Sequence, residues 1–151
     1  MIHIFVDPAF EEQVDPEILD RAASRTIAHE NFDAAAEFSV VVDSDEKLHA
    51  LNRDFLGIDA TTDVLSFPGD EFDPDEQAPY IGDIIISFPR AEVQAKSAGH
   101  PTINELQLLV VHGTLHLLGY DHIEPEEKEK MWQVQSEILA ELGCTIHKLP
   151  E

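Results

Sequence analysis

The sequence predicts an α/β (α+β) fold: a single domain over residues 1–151, with a small mixed sheet of about four strands covered by helices. Three observations carry this expectation. Short β-branched runs such as Glu37–Val42 (EFSVVV) alternate with stretches whose apolar residues recur at helical spacing. Glycine and proline punctuate the junctions, and no repeat, low-complexity tract or linker divides the chain. The 151 residues, 43% hydrophobic and 26% charged, have the size and composition of one ordinary globular domain.

Taken in order, Ile2–Val6 reads as a short strand. Asp15 has the character of an N-cap with Pro16 at the first helical position, opening a helix to about Glu30 with Ile18, Ala22, Ile27 and Ala28 near one face. Glu37–Val42 is the second strand. Ser44 caps a helix whose Leu48, Leu51 and Phe55 form an apolar stripe, and Gly57 ends it. Val64–Phe67 is a third strand, closed by Pro68 and Gly69. Asp70–Pro79 is acidic, proline-bearing and aperiodic, the best candidate for a mobile loop or lid. Ile84–Ser87 belongs to a fourth strand, and Pro89–Ala98 is a helix ended by Gly99. Thr102 and Glu105 have capping-box spacing ahead of a long apolar helix to about Leu118, with Gly119 as its C-cap. Pro125 starts a last helix carried by Met131, Val134, Ile138 and Leu142.

Composition narrows the function. No apolar run reaches the roughly 20 residues that span a bilayer, and the N-terminus lacks a basic start and apolar core, so a cytoplasmic protein is expected. Cys144 is the only cysteine, which excludes an intrachain disulfide and any cysteine-rich zinc site. A metal would have to be held by nitrogen or oxygen. The net charge is −22, divided as −15 over residues 1–75 and −7 over 76–151. Such a field repels nucleic acid and anionic membranes at long range and attracts cations, while also serving solubility.

The chemistry is concentrated in residues 112–122, HGTLHLLGYDH. His112 and His116 are four apart on a helix, so both imidazoles project from one face and can share an ion. Gly119 lets the chain turn back, and His122 follows three residues later. Three histidine ligands leave an open coordination position, as in catalytic zinc sites. This spacing would arise by chance somewhere in such a chain with odds of roughly one in fifty. His3, His29, His49, His100 and His147 lack comparable spacing and are expected to be surface or packing residues.

The same segment matches the long zincin metalloprotease motif H-E-x-x-H-x-x-G-x-x-H at every fixed position but one: Gly113 stands where the general-base Glu belongs. The helix is therefore zincin-like without the carboxylate that takes a proton from water during amide attack. RNA needs less help, because its 2′-hydroxyl is an internal nucleophile.

HGTLHLLGYDH also resembles the signature H-G-x-L-H-L-x-G-Y-D-H of the YbeY family. Two further segments agree in order: Leu51-Asn52 followed by Thr62-Asp63-Val64-Leu65-Ser66-Phe67-Pro68, and Gly82-Asp83-Ile84-Ile85-Ile86-Ser87. The resemblance implies a single-strand-specific, metal-dependent endoribonuclease acting in maturation of small-subunit ribosomal RNA and in ribosome quality control. It implies RNA and the ribosome or its small-subunit proteins as partners, with no membrane and no DNA. It further implies one metal ion, usually zinc, on His112, His116 and His122, which are also the first candidates for catalysis.

One departure bears on the chemistry. After Leu-Asn the family continues x-x-Tyr-Arg-Gly-x-Asp-x-x-Thr-Asp, with an arginine regarded as catalytically important. Leu56 occupies that position here. A guanidinium binds phosphate bidentately and stabilises developing charge, and leucine does neither. Arg53, three residues earlier on the same helical face, is the candidate substitute; its alternative role is that of a solvated side chain at a helix end. Asp121, beside the expected ligand His122, is a candidate to orient an imidazole as an outer carboxylate, or else to cap the turn before the last helix. Asp83, in an apolar strand, requires a partner, and Thr62, Asp63 and Ser66 are either substrate contacts or turn residues. Two other readings stand beside the nuclease: a noncatalytic ribosome-assembly protein with a structural metal, and a zinc hydrolase of another substrate such as peptide.

Overall fold

A computed structural model describes residues 1–69 and 80–144. The acidic segment 70–79 and His147 lie outside the described residues. Four strands, β1 (Ile2–Val6), β2 (Glu37–Asp43), β3 (Val64–Pro68) and β4 (Tyr80–Ser87), form one sheet in the order β1-β2-β4-β3. β1 and β4 run parallel to β2, and β3 is antiparallel to β4. The helices are α1 (Pro16–His29), α2 (Asp45–Leu56), α3 (Phe88–Ala98), α4 (Thr102–Leu117) and α5 (Pro125–Glu141). The expected mixed sheet with covering helices is therefore present.

The strand alternation assigns each face. Phe38, Val40 and Val42 of β2 and Ile84 and Ile86 of β4 pack into the main core with α1, α4 and α5. The intervening Val41 and Ile85 turn the other way, onto Leu48 of α2 and Leu65 of β3. Burial on both faces explains why these strands read as nearly continuous apolar runs. α4 is the central helix: every residue from Glu105 to Leu115 is buried.

Caps form where short polar side chains precede the helices. Asp15 Oδ1 accepts from Glu17 N at 3.0 Å, and Ser44 Oγ accepts from Lys47 N at 3.2 Å. Gly57 takes φ 71° at the end of α2, as the left-handed C-cap requires.

Several expectations change in detail. β4 begins at Tyr80 rather than near Ile84, because the backbone pairs through Gly82 and Asp83 despite their low strand preference. Tyr80 hydroxyl donates to Asp83 Oδ1, which gives that carboxylate its partner. The buried face of α1 is Leu19, Ala22, Ala23, Thr26 and Ile27, so Ala28 is exposed and Ile18 only half-buried. In α2, Asn52 takes the buried place beside Leu48, its Nδ2 donating to Ala60 O at 2.9 Å. Phe55 is 69% exposed and meets Phe67 edge-on at 5.8 Å. A short 3-10 turn at Pro8–Phe10, capped by Asp7, lies where no element was expected.

The Thr102/Glu105 capping box does not form. Pro101 occupies the N-cap position without a side-chain cap bond, and Thr102 is the first helical residue. Glu105 is 3% exposed and its Oε1 lies 2.7 Å from His100 Nε2, so a buried partner has captured the carboxylate that would have capped the helix. His100 is thus the packing residue expected of it.

Candidate metal centre

α4 carries His112 and His116 to its C-terminal end, and the turn that follows returns His122 to them. Gly119 adopts φ 103°, and Tyr120 N donates back to Leu115 O at 3.0 Å. The ring centroids stand 4.6 Å apart for His112 and His116, 5.4 Å for His112 and His122, and 5.1 Å for His116 and His122. One ring nitrogen from each histidine falls within 4.8 Å of the others. The sequence-predicted trio is brought together.

Two hydrogen bonds orient the helical pair. His112 Nδ1 donates to Gln135 Oε1 at 2.6 Å, and His116 Nδ1 donates to Tyr120 O at 2.9 Å. Oxygen can only accept here, so each Nδ1 holds the proton and each Nε2 holds a lone pair. The two Nε2 atoms face one another at 3.0 Å. Two inward lone pairs at this separation repel unless a cation lies between them, and neutral imidazole is the form that binds one. Burial also favours the neutral rings, pushing His112 down to about 4 and lowering His116. The donor set therefore fits a borderline divalent ion.

The centre opens on a cleft of about 610 Å³ lined by Leu56, Thr62, Asp63, Ser66 and Asp121 as well as the histidines. Most polar groups of this wall are engaged by the protein itself. Asp63 Oδ1 accepts from Val64 N at 2.8 Å, and the Gln94 amide nitrogen, turned as donor, reaches Asp63 Oδ2 at 3.3 Å and Glu105 Oε2 at 3.1 Å. Ser66 Oγ donates to Gly113 O at 3.4 Å. Asp121 Oδ1 accepts from the backbone N of His122 at 2.7 Å, fixing the turn; the imidazole partners among the described residues are Gln135 and the Tyr120 carbonyl.

Arg53 does not join this wall among the described residues. Its Nε donates to Asp54 Oδ1 at 3.0 Å on the exposed side of α2, which holds its pKa above the usual value, whereas Leu56 faces the cleft and is 53% exposed. Sequence reasoning missed three supports. Gln135 approaches from α5, 23 residues away. Trp132, one turn earlier, packs edge-on to His112 at 5.7 Å and to His122 at 5.5 Å. Tyr120 hydroxyl donates to Glu30 at the end of α1, tying down the turn, and burial pushes that phenol up to about 12. Only Tyr120 had a signal, as the residue directly after the turn glycine.

A mixed four-stranded sheet under a buried helix that ends in a three-histidine cluster defines a class of candidate metal-site proteins whose ligands are all imidazoles. Comparison with known proteins makes the assignment particular. The profile of the family described as Endoribonuclease YbeY matches residues 7–143. An Endoribonuclease YbeY of Chloroflexus aurantiacus is 46% identical over 136 residues, covering 85% of this chain and 88% of that protein. That of Geobacillus kaustophilus is 44% identical over 155 residues, covering 95% and 98%. A solution structure of a Thermotoga maritima protein superposes with TM-score 0.59 at 29% identity, covering 93% of this chain and 91% of that one. The chain belongs to the YbeY endoribonuclease family.

Proposed function

We propose that this chain is a cytoplasmic, metal-dependent endoribonuclease that cuts single-stranded RNA in small-subunit ribosomal RNA maturation and ribosome quality control. The observation that carries the reading is the pair of inward Nε2 lone pairs at 3.0 Å, joined by His122 at the floor of an open cleft. Zinc, one ion per chain on His112, His116 and His122, is the proposed cofactor. When bound, the ion supplies Lewis acidity and positive charge at a phosphodiester.

The chain's own residues do the rest. His112 and His116 present their lone pairs in fixed directions, and the neutral rings keep proton competition low above the acidic range. Asp121 and Tyr120 hold the turn that delivers His122. No carboxylate occupies position 113, so the arrangement favours a substrate with an internal nucleophile over an amide. Arg53 could stabilise phosphate charge only by leaving Asp54 and crossing to the cleft.

The second reading, a ribosome-assembly protein without catalysis, draws on Leu56 facing the cleft where the family carries an arginine. The deciding experiment is cleavage of a single-stranded RNA by rigorously purified protein. Cutting that vanishes with chelator and again in His112→Ala establishes the nuclease; metal-loaded protein that binds RNA without cutting it establishes the second reading; and cutting of peptide but not RNA refutes both.

A further inference from the structure

Gln135 is completely buried, and its Oε1 accepts the proton of His112 Nδ1 at 2.6 Å. Its Nε2 is equally buried and has no partner among the described residues. A packed core ordinarily avoids an unpaired amide nitrogen, so the residue is retained for its oxygen. Glutamate would supply the same oxygen, put a second buried acceptor where the unpaired donor stands, and add a negative charge.

The surroundings follow the same rule. Lys128, Trp132 and Gln135 fall at i, i+4 and i+7 on α5, one helical face. Trp132 abuts two of the imidazoles, and Lys128 Nζ lies 5.6 Å over the indole ring. Glu126, Glu127, Glu129, Glu137 and Glu141 of the same helix are all exposed. Asp63 and Asp121 line the cleft and Asp121 acts on His116 through space, but each carboxylate is bonded to a backbone N–H and neither is a hydrogen-bond partner of an imidazole. In a chain of 31 acids and 9 bases, the hydrogen-bond partners of the His112 and His116 imidazoles carry no charge.

We propose that Gln135 is a positioning residue with two linked effects: its oxygen locks His112 with Nε2 toward the ion, and its neutrality leaves the loaded centre its full double positive charge for binding an anionic phosphodiester. This rests on the metal reading above and adds what tunes that metal. A neutral acceptor gives up some metal affinity in exchange for attraction to phosphate.

The test compares Gln135→Leu and Gln135→Glu with the parent in two measurements. Metal affinity is read by competition with a chromophoric chelator, and anion affinity by the visible spectrum of the cobalt-loaded protein titrated with inorganic phosphate. Q135L should bind metal about 10–100-fold more weakly, the usual effect of removing an outer partner of a ligating histidine. Q135E should regain parental metal affinity or exceed it, while the loaded protein binds phosphate on the order of tenfold more weakly. A purely structural role would give neither the regain nor the opposed changes. Q135L with metal affinity within about twofold of the parent, or Q135E with undiminished phosphate affinity, overturns the proposal. If Q135L does not fold, Q135M carries the same comparison. His116→Ala separates the two levels: retention of metal there sinks the metal reading itself, whereas its loss beside an unaffected Q135L sinks only the role of Gln135.

Discussion

Gly113 lies so close to Ile84 that a Cβ placed on it would stand 2.8 Å from Ile84 Cγ2 and 3.2 Å from Cγ1. The position at which metalloproteases carry their base is here a close approach of α4 to β4. Gly113→Ala should therefore destabilise the fold, by up to about 2 kcal/mol net, overpacking of roughly 1–3 kcal/mol outweighing a helix-propensity gain of roughly 1. A lower urea midpoint at unchanged m-value is the expected result.

Proteolysis should be absent for the same reason. With the centre fully loaded, the protein should not degrade casein, since position 113 carries no carboxylate to take the proton during amide attack and those of Asp63 and Asp121 are bonded to backbone N–H groups. Metal-dependent casein cleavage that is lost in His112→Ala would contradict this.

Metal content gives the most direct check of the centre. Protein purified without added metal should carry about one divalent transition ion per chain, zinc foremost, and His116→Ala should lose it. Elemental analysis with full retention in that variant would remove the assignment.

Much of this was legible in the chain, and the exceptions share a cause. Local signals in Asp15, Pro16, Ser44, Gly57 and Pro125 placed the helix ends, because caps and turn glycines act within a few residues. The spacing of His112, His116 and His122 forecast their convergence, because one helix and one turn suffice to create it. Glu105 misled because its buried neighbour His100, not the helix end, claimed it. Phe55 misled because the stripe on α2 swings toward Asn52, whose amide bonds a loop carbonyl. Strand order, Gln135 against His112 and Tyr120 against Glu30 depend on pairings across 23 and 90 residues that no local pattern encodes.

Leu56 offers a gain-of-function test. Because it faces the cleft and Arg53 is paired with Asp54, Leu56→Arg should raise single-turnover RNA cleavage, at most on the order of a hundredfold. Arg53→Ala should have the smaller effect of the two and leave metal content unchanged. A large loss in Arg53→Ala, with little gain from Leu56→Arg, would show that Arg53 already reaches the phosphate.

Cys144 should be a poor nucleophile. Burial pushes its thiol up to about 11 from the ordinary 9, and Sγ donates to Asn104 O at 3.7 Å. At pH 8 its thiolate fraction, and so its alkylation rate, should be about a hundredfold below that of an unperturbed thiol, rising as pH approaches 11. Rapid labelling at pH 8 would contradict the burial.

The three imidazoles are not anchored alike. His112 sits in the buried stretch of α4, whereas His122 stands beyond Gly119 on a half-buried turn. Amide hydrogens along the buried stretch are released to solvent only by global opening, while those of a turn are freed by local fluctuation. Two of the three imidazoles are thus fixed by the core of the fold and the third by a surface turn. Backbone amides from Leu106 to Leu115 should therefore exchange with solvent far more slowly than those of Asp121 and His122.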